Sequence, residues 1–397
     1  MSGYTKNICD KEAAEAQKQV NQLMKSLIPI LPFNYDLNTI KSLLEQYYPY
    51  EVFLIREKHK YYLLKERSLL SKNKKSRYHF KDLDYYIKNS NTLSNLLDTV
   101  FVKRHQNSFV QNEYESKIQK FEMQRSPKIQ KQYNKIQSVI KKTQQLEPSY
   151  LDSLIGLYCK KGTSQKDKVY VLKELEKYYC QKIVLFFSKL VDTEYNRQLR
   201  EEAFYHLQSL GFQRNLPRQK YIRIPSKNKK RREFLKEYAK ERFKIEETPY
   251  ELEYRINNSK EQKMKEYDFF ISHSSTDYDS IQLLIESLNK QGNNIYCDWI
   301  NDTDYLKRHL VGQNTLNVIK KRLDQSKRMI FVVSSNSLES KWCKYELNYF
   351  NNQKKEIVFI RKEDISDGNF EYSSFDVHPF LNSNYNDTIE ELFKITT

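Results

Sequence analysis

The chain is poor in cysteine, in glycine and in long apolar runs, and each shortage excludes a class of protein. Five cysteines in 397 residues, Cys9, Cys159, Cys180, Cys297 and Cys343, are odd in number and scattered. They form no C-x-x-C pair, which argues against a disulfide framework and against a zinc cluster written in the sequence. They read as reduced thiols, and no metal site is expected. Apolar stretches such as residues 26–33 fall far short of a membrane span, and the opening Met-Ser-Gly-Tyr-Thr-Lys is not a basic-then-apolar leader. The expectation is a cytoplasmic chain with no membrane partner. No G-x-G-x-x-G occurs, so an ordinary dinucleotide-binding Rossmann site is disfavoured.

The length is too great for one core of the usual size and points to two domains. Charge divides the chain as well. Residues 267–397 hold about 15 Lys and Arg against 19 Asp and Glu, so the whole excess behind the net charge of +17 lies in the preceding two-thirds. Such an excess attracts nucleic acid or an acidic protein, and it equally serves solubility alone. A nucleic-acid or protein trigger at this basic region is one expectation, a merely solvated face the other.

From Asp10 to about Ser209 glycines are few, and apolar residues recur three and four apart, as in Ile40, Leu43, Leu44, Tyr47 and Tyr48. That is helical spacing. Tyr170 to Leu190 and Asn196 to Leu210 share it, and Gly211 stands where a helix C-cap belongs. Residues 1–212 are therefore read as a mostly α-helical sensing or oligomerisation region. Residues 213–265 are read as a basic segment and linker: Lys220 to Ile224 alternates like a basic hairpin, Lys227 to Arg232 begins a charged helix, and the polar stretch after Pro249 is the expected interdomain connection.

At Tyr267 the pattern changes. Short apolar strands at Tyr267–Ser272, Asn294–Trp299, Met329–Ser334 and Ile357–Ile360 alternate with helical stretches at Ile281–Leu288, Thr315–Leu323 and Leu338–Phe350. Alternation of this kind specifies an α/β domain with a central parallel sheet of flavodoxin-like type, over residues 266–397. In such sheets ligands bind beyond the carboxyl ends of the strands, which puts the loops after Ser272, Trp299 and Ser334 on one functional edge. Trp342 and Glu346, four apart, share one helix face, while Cys343, Leu347 and Phe350 turn to the core. Spacing alone favours a core Trp and a solvated Glu over a functional pairing, since amphipathic helices make such pairs routinely.

Tyr267-Asp268-Phe269-Phe270-Ile271-Ser272-His273-Ser274 resembles the opening box of the TIR (Toll/interleukin-1 receptor) family. Ile295-Tyr296-Cys297-Asp298-Trp299 resembles its second strand, and Gly312 the glycine closing its BB loop. Ser326 and Val332-Val333-Ser334 resemble the segment that enters its third strand. Ser340-Lys341-Trp342-Cys343-Lys344-Tyr345-Glu346-Leu347 is very similar to its S-x-W-C-x-x-E-L element. The match covers about a third of the chain, with Val311-Gly312 standing where many animal domains have Pro-Gly.

The resemblance implies an NAD+ nucleosidase with NAD+ as substrate and no cofactor, and Glu346 as the catalytic carboxylate. It places Trp342 beside the nicotinamide and gives Phe270, Ser272, Ser274, Ser275 and Asp298 as further substrate-binding candidates. Alternation leaves Phe270 as either a stacking ring or sheet core, and Asp298 as either a ribose ligand or a cap. His273 is read as loop-shaping, not catalytic. The resemblance also implies self-association through TIR domains, with Lys307, Arg308 and Gly312 in the BB loop, and a role in bacterial anti-phage immunity. The alternative is a non-catalytic TIR adaptor.

Overall fold

The structure, a computed structural model, describes residues 4–222, 224, 226–365 and 370. No helix among them is long and apolar enough to cross a membrane. The chain forms two compact units, residues 1–138 with 207–222, and residues 139–206 with 223–397. These units cut the chain differently from the segments drawn from composition, because the helices of 139–206 pack with the C-terminal α/β layers.

The first unit is helical, as the spacing requires. Asp36 caps the helix Leu37–Tyr47 by accepting the Thr39 amide at 2.7 Å, and Ile40, Leu44 and Tyr47 form its buried stripe. Gly211 adopts φ +88°, as a left-handed C-cap does, and a Cβ there would meet Ile136 Cδ1 at 2.6 Å. Of the basic stretch read as a hairpin, Arg223 and Pro225 lie outside the described residues. Gln219–Tyr221 is a 3-10 turn, whereas Lys229–Tyr238 is the expected charged helix, capped by Asn228.

In the second unit the sheet contains β1 (Tyr267–Ser272), β2 (Ile295–Tyr296), β3 (Ser326–Val333) and β4 (Ile357–Arg361), all parallel, in the order β2-β1-β3-β4. Of the helices around it, four matter here: α1 (Gln165–Leu175), α2 (Tyr278–Lys290), α3 (Gln313–Asp324) and α4 (Lys341–Asn352). Successive strand residues serve opposite faces. Phe269, Ile271, Ile330 and Val332 pack with Ile281, Leu284 and Leu288 of α2, while Phe270, Met329 and Phe331 pack with Leu316 and Leu323 of α3 and Leu347 and Phe350 of α4.

Three expectations are adjusted. The second strand is only two residues long, because Asp298–Asn301 turns into helix immediately after Cys297. The helix read as Leu338–Phe350 is two, Ser335–Glu339 and α4, separated by Ser340, which caps α4 by accepting the Cys343 amide. The stretch after Pro249, read as the interdomain connection, is a helix, Pro249–Asn258. Leu252 and Ile256, four apart, give it an apolar stripe buried with Tyr305 and Val318.

Two buried polar assemblies join the 139–206 helices to the sheet layers. At the β2 edge, the Gln144 carboxamide donates to Ile295 O at 2.6 Å and accepts from Ile295 N at 3.1 Å. Its own backbone is held by Lys177 O and the Tyr179 amide. Beneath the loop that follows β2, Asp302 accepts from Arg322 at 2.8 and 3.1 Å and lies 3.6 Å from Lys177, which is 2.9 Å from Glu174 of α1. Glu174 also pairs with the buried Lys265 and accepts from Gln262 at 2.7 Å. Burial pushes Glu174 up, yet Lys177 and Lys265 outweigh it and hold the carboxyl at about 2; Asp302 is likewise lowered, by Arg322 first. Both carboxyls are thus ionised at neutral pH.

Candidate active site

Beyond the carboxyl end of β1 the chain leaves the sheet at Ser272-His273-Ser274, and α4 brings Glu346 to the same place. The Ser272 hydroxyl donates to Glu346 Oε2 at 2.6 Å, with both residues buried. Glu346 opens onto a cavity of about 460 Å³ whose lining includes Phe270, His273, Ser275, Asp298, Arg308 and Trp342. The volume is in the range of small-molecule sites. Burial pushes the Glu346 carboxyl up from 4.5 to about 8, the Ser272 hydrogen bond pulls it back, and the charge of Asp298 adds to the rise. A buried carboxyl thus has its charged form disfavoured at a cleft, a combination concentrated at functional sites.

The remaining predicted residues divide into two groups. Trp342 is half-buried and lines the cavity one helical turn before Glu346. Phe270 lies in the sheet core, 2% exposed and stacked on Tyr296 with centroids 5.1 Å apart, and also lines the cavity. Asp298 keeps its side chain about half exposed and also accepts the Trp299 amide at 2.8 Å. Ser275 accepts from Arg308 Nη2 at 3.1 Å, which places a guanidinium and a hydroxyl together at the mouth. Ser274, Lys307 and Gly312 are not among the lining residues. Ser274 bonds Thr276 at 2.9 Å within the 3-10 turn Ser275–Asp277, Lys307 bonds Glu247 at 2.7 Å, and the Gly312 amide donates to Thr315 Oγ1 at the start of α3.

Sequence reasoning gave no role to Asp277 and placed Arg308 only in assembly. Asp277 accepts from Ser334 at 2.5 Å, Asn336 at 3.2 Å and Lys362 at 2.9 Å. It thereby ties the loop after β1 to those after β3 and β4, and the signal for it was an acidic residue ending a hydroxyl-rich loop. His273 bonds Ile271 O through Nδ1 at 3.1 Å and accepts from Trp299 Nε1 at 3.1 Å through Nε2, which matches a shaping role.

A larger depression, about 610 Å³, lies among α1, the helix Arg197–Ser209 and residues 242–247. Its lysines 173 and 177 are paired with Glu176 and Glu174. It lies away from the strand ends, so the smaller cavity is the candidate site.

Residues 269–393 match the family model described as TIR domain. A relative named "Putative cyclic ADP-D-ribose synthase TIR2", from Cytobacillus dafuensis, is 35% identical over 377 residues, 95% of this chain and 97% of its own. The chain belongs to the TIR-domain family. A "Probable 3' cyclic ADP-D-ribose synthase ThsB'" of Bacillus cereus is 35% identical over 98 residues, 25% of this chain and 50% of that one. A "Probable 2' cyclic ADP-D-ribose synthase TcpO" of Methanobrevibacter olleyae is 30% identical over 127 residues, 32% of this chain and 35% of its own. No solved structure gives a significant match. The TIR reading and the α/β sheet preceded by helices both stand, and the first relative extends the kinship over the helical part.

Proposed function

We propose that the chain is a TIR NAD+ nucleosidase that breaks the bond between nicotinamide and ribose, with Glu346 as the catalytic carboxylate. The observation that carries this reading is the buried Glu346 carboxylate, fixed by Ser272 at 2.6 Å, opening onto a cavity beside Trp342. Breaking the glycosidic bond builds oxocarbenium character on the ribose, and an anion held in place stabilises it. Nicotinamide leaves neutral, so no strong acid is needed. No cofactor is required either.

The raised pKa fits this chemistry. In the empty cleft Glu346 holds its proton at neutral pH; the cationic nicotinamide ring of bound NAD+ favours the carboxylate, so substrate binding expels the proton to solvent. Phe270 and Trp342 would wall the base, Asp298 would meet the ribose, and Arg308 with Ser275 would take the pyrophosphate, where a guanidinium is strongest. Ser272 positions Glu346, while Ser274 shapes the loop. The relatives' names support cyclic ADP-ribose products, in which a hydroxyl of the same nucleotide captures the cation in place of water. Their names differ between 2' and 3' forms, so kinship leaves the isomer open.

Assembly through the BB loop, with Lys307, Arg308 and Gly312, belongs to this proposal, as do a trigger sensed by the helical region and a role in anti-phage immunity. The test is incubation of the concentrated full chain with NAD+, with products identified by mass. Nicotinamide should appear, and Glu346→Gln should abolish it. If no nicotinamide is released at any protein concentration, the reading fails, and partner recruitment that survives Glu346→Gln would identify a non-catalytic adaptor instead.

A further inference from the structure

Three side chains of different chemistry converge where β1 and β2 end. His273 Nε2 lies 3.9 Å from Cys297 Sγ and 3.9 Å from Asp298 Oδ1, and the sulfur lies 4.0 Å from that oxygen. The three atoms form a nearly equilateral triangle. A point at its centre is about 2.3 Å from each corner, close to the bond lengths of Zn²⁺ to sulfur, imidazole nitrogen and carboxylate oxygen. Among the described residues this is the group able to offer such a ligand set.

The surroundings suit a metal in other ways. His273 Nδ1 bonds Ile271 O at 3.1 Å, which keeps the proton on that nitrogen and leaves the Nε2 lone pair for the triangle. Cys297 is fully buried, whereas Asp298 is half exposed and provides the entry path from the cavity. Sequence spacing hid the group, because His273 sits 24 residues before Cys297. Only the parallel pairing of β1 with β2 brings them together.

We propose that His273, Cys297 and Asp298 bind a thiophilic divalent cation of the Zn²⁺ type, and that the bound ion inhibits turnover at the adjoining cavity. His273 and Asp298 both line that cavity. An ion there takes Asp298 away from substrate and, being neutralised by the thiolate and the carboxylate it binds, removes the negative charge that Asp298 would offer a cationic ring. On binding, the Cys297 thiol gives its proton to solvent and the sulfur lone pair goes to the metal, so affinity rises with pH. Water completes the fourth position. Trp299 Nε1 now donates to the same Nε2 at 3.1 Å and must release it. With two tryptophans in the chain, that release is visible in fluorescence. Inhibition presupposes the NAD+-cleaving reading; binding does not.

The test uses the full chain, cleared of metal by a chelator and titrated with Co²⁺ as the visible stand-in for Zn²⁺. One equivalent should bind with a thiolate-to-cobalt charge-transfer band, lost in Cys297→Ser and kept in Cys159→Ser, which removes the exposed thiol. Micromolar Zn²⁺ should slow nicotinamide release, a chelator should restore it, and Cys297→Ser should weaken the inhibition at least ~10-fold without changing the zinc-free rate. Wild-type protein showing no thiolate band, or a band lost in Cys159→Ser, overturns the site whether or not Cys297→Ser folds. Inhibition undiminished in Cys297→Ser overturns the regulatory part, and a chain that binds Co²⁺ as described yet never releases nicotinamide defeats the NAD+-cleaving reading and the inhibition with it.

Discussion

Replacing Glu346 by Gln should make the protein more stable in alkaline solution while abolishing its chemistry. Burial raises the folded-state pKa of Glu346 to about 8 from 4.5. A raised pKa means that the folded protein binds the proton more tightly than the unfolded chain, so the group's contribution is fully present below pH 4.5 and is lost as pH rises through 8. The slope between these limits is at most about 1.4 kcal/mol per pH unit, and the full shift amounts to about 5 kcal/mol. Water entering the open cavity screens part of this, and half remains a fair expectation. In a unit of some 240 residues, about 2 to 3 kcal/mol displaces a thermal midpoint by roughly 5 to 10 °C. Glutamine is isosteric, cannot ionise and still accepts from Ser272. Thermal unfolding of both proteins from pH 5 to pH 9 should therefore give midpoints that nearly coincide at the acid end and separate steadily, the variant higher. Parallel curves would refute the desolvation argument, and with it the idea of a carboxylate that waits for a cation to ionise it.

The same shift shapes the rate. The kcat/KM for nicotinamide release should rise with pH toward about 8, and kcat should level off at lower pH because bound substrate favours the carboxylate; a flat profile from pH 6 to 9 would contradict this. Ser272→Ala removes the bond that holds the carboxyl down, so the apparent pKa in kcat/KM should move upward and the rate at pH 7 should fall by roughly 10-fold. Arg308→Ala should raise KM for NAD+ about 10-fold with a smaller effect on kcat, measured by initial rates, since it removes one charge-assisted bond to the pyrophosphate. Asp302→Ala leaves Arg322 without its carboxylate in a fully buried place and should cost about 3 to 5 kcal/mol, read from the denaturant midpoint.

The parts of this molecule that are legible in its sequence are those determined locally. Strand β1, the apolar stripe of α4 and the Trp342–Glu346 pairing follow from periods of two and of three to four, and all are where those periods place them. Long-range pairings leave no such trace. Nothing around Gln144 announces that its side chain meets Ile295, and nothing near Lys177 announces Asp302, because each partner is more than a hundred residues away. The polar face of Pro249–Asn258 imitated a linker because its buried stripe contains little more than Leu252 and Ile256. The raised pKa of Glu346 was equally hidden: spacing gives the face a residue occupies, while desolvation depends on everything packed around it.

Gln144 has a consequence for how copies of this chain can meet. By offering one donor and one acceptor to the peptide of Ile295, its carboxamide imitates a strand one residue long and terminates the β2 side of the sheet. A second molecule cannot extend the sheet there by main-chain pairing unless Gln144 withdraws. Any ordered array of these domains must then grow through side-chain surfaces or from elsewhere on the sheet. A fragment cut at residue 266 would lose the plug and present β2 as an open edge, so aggregation of such a fragment would say little about the assembly of the intact chain.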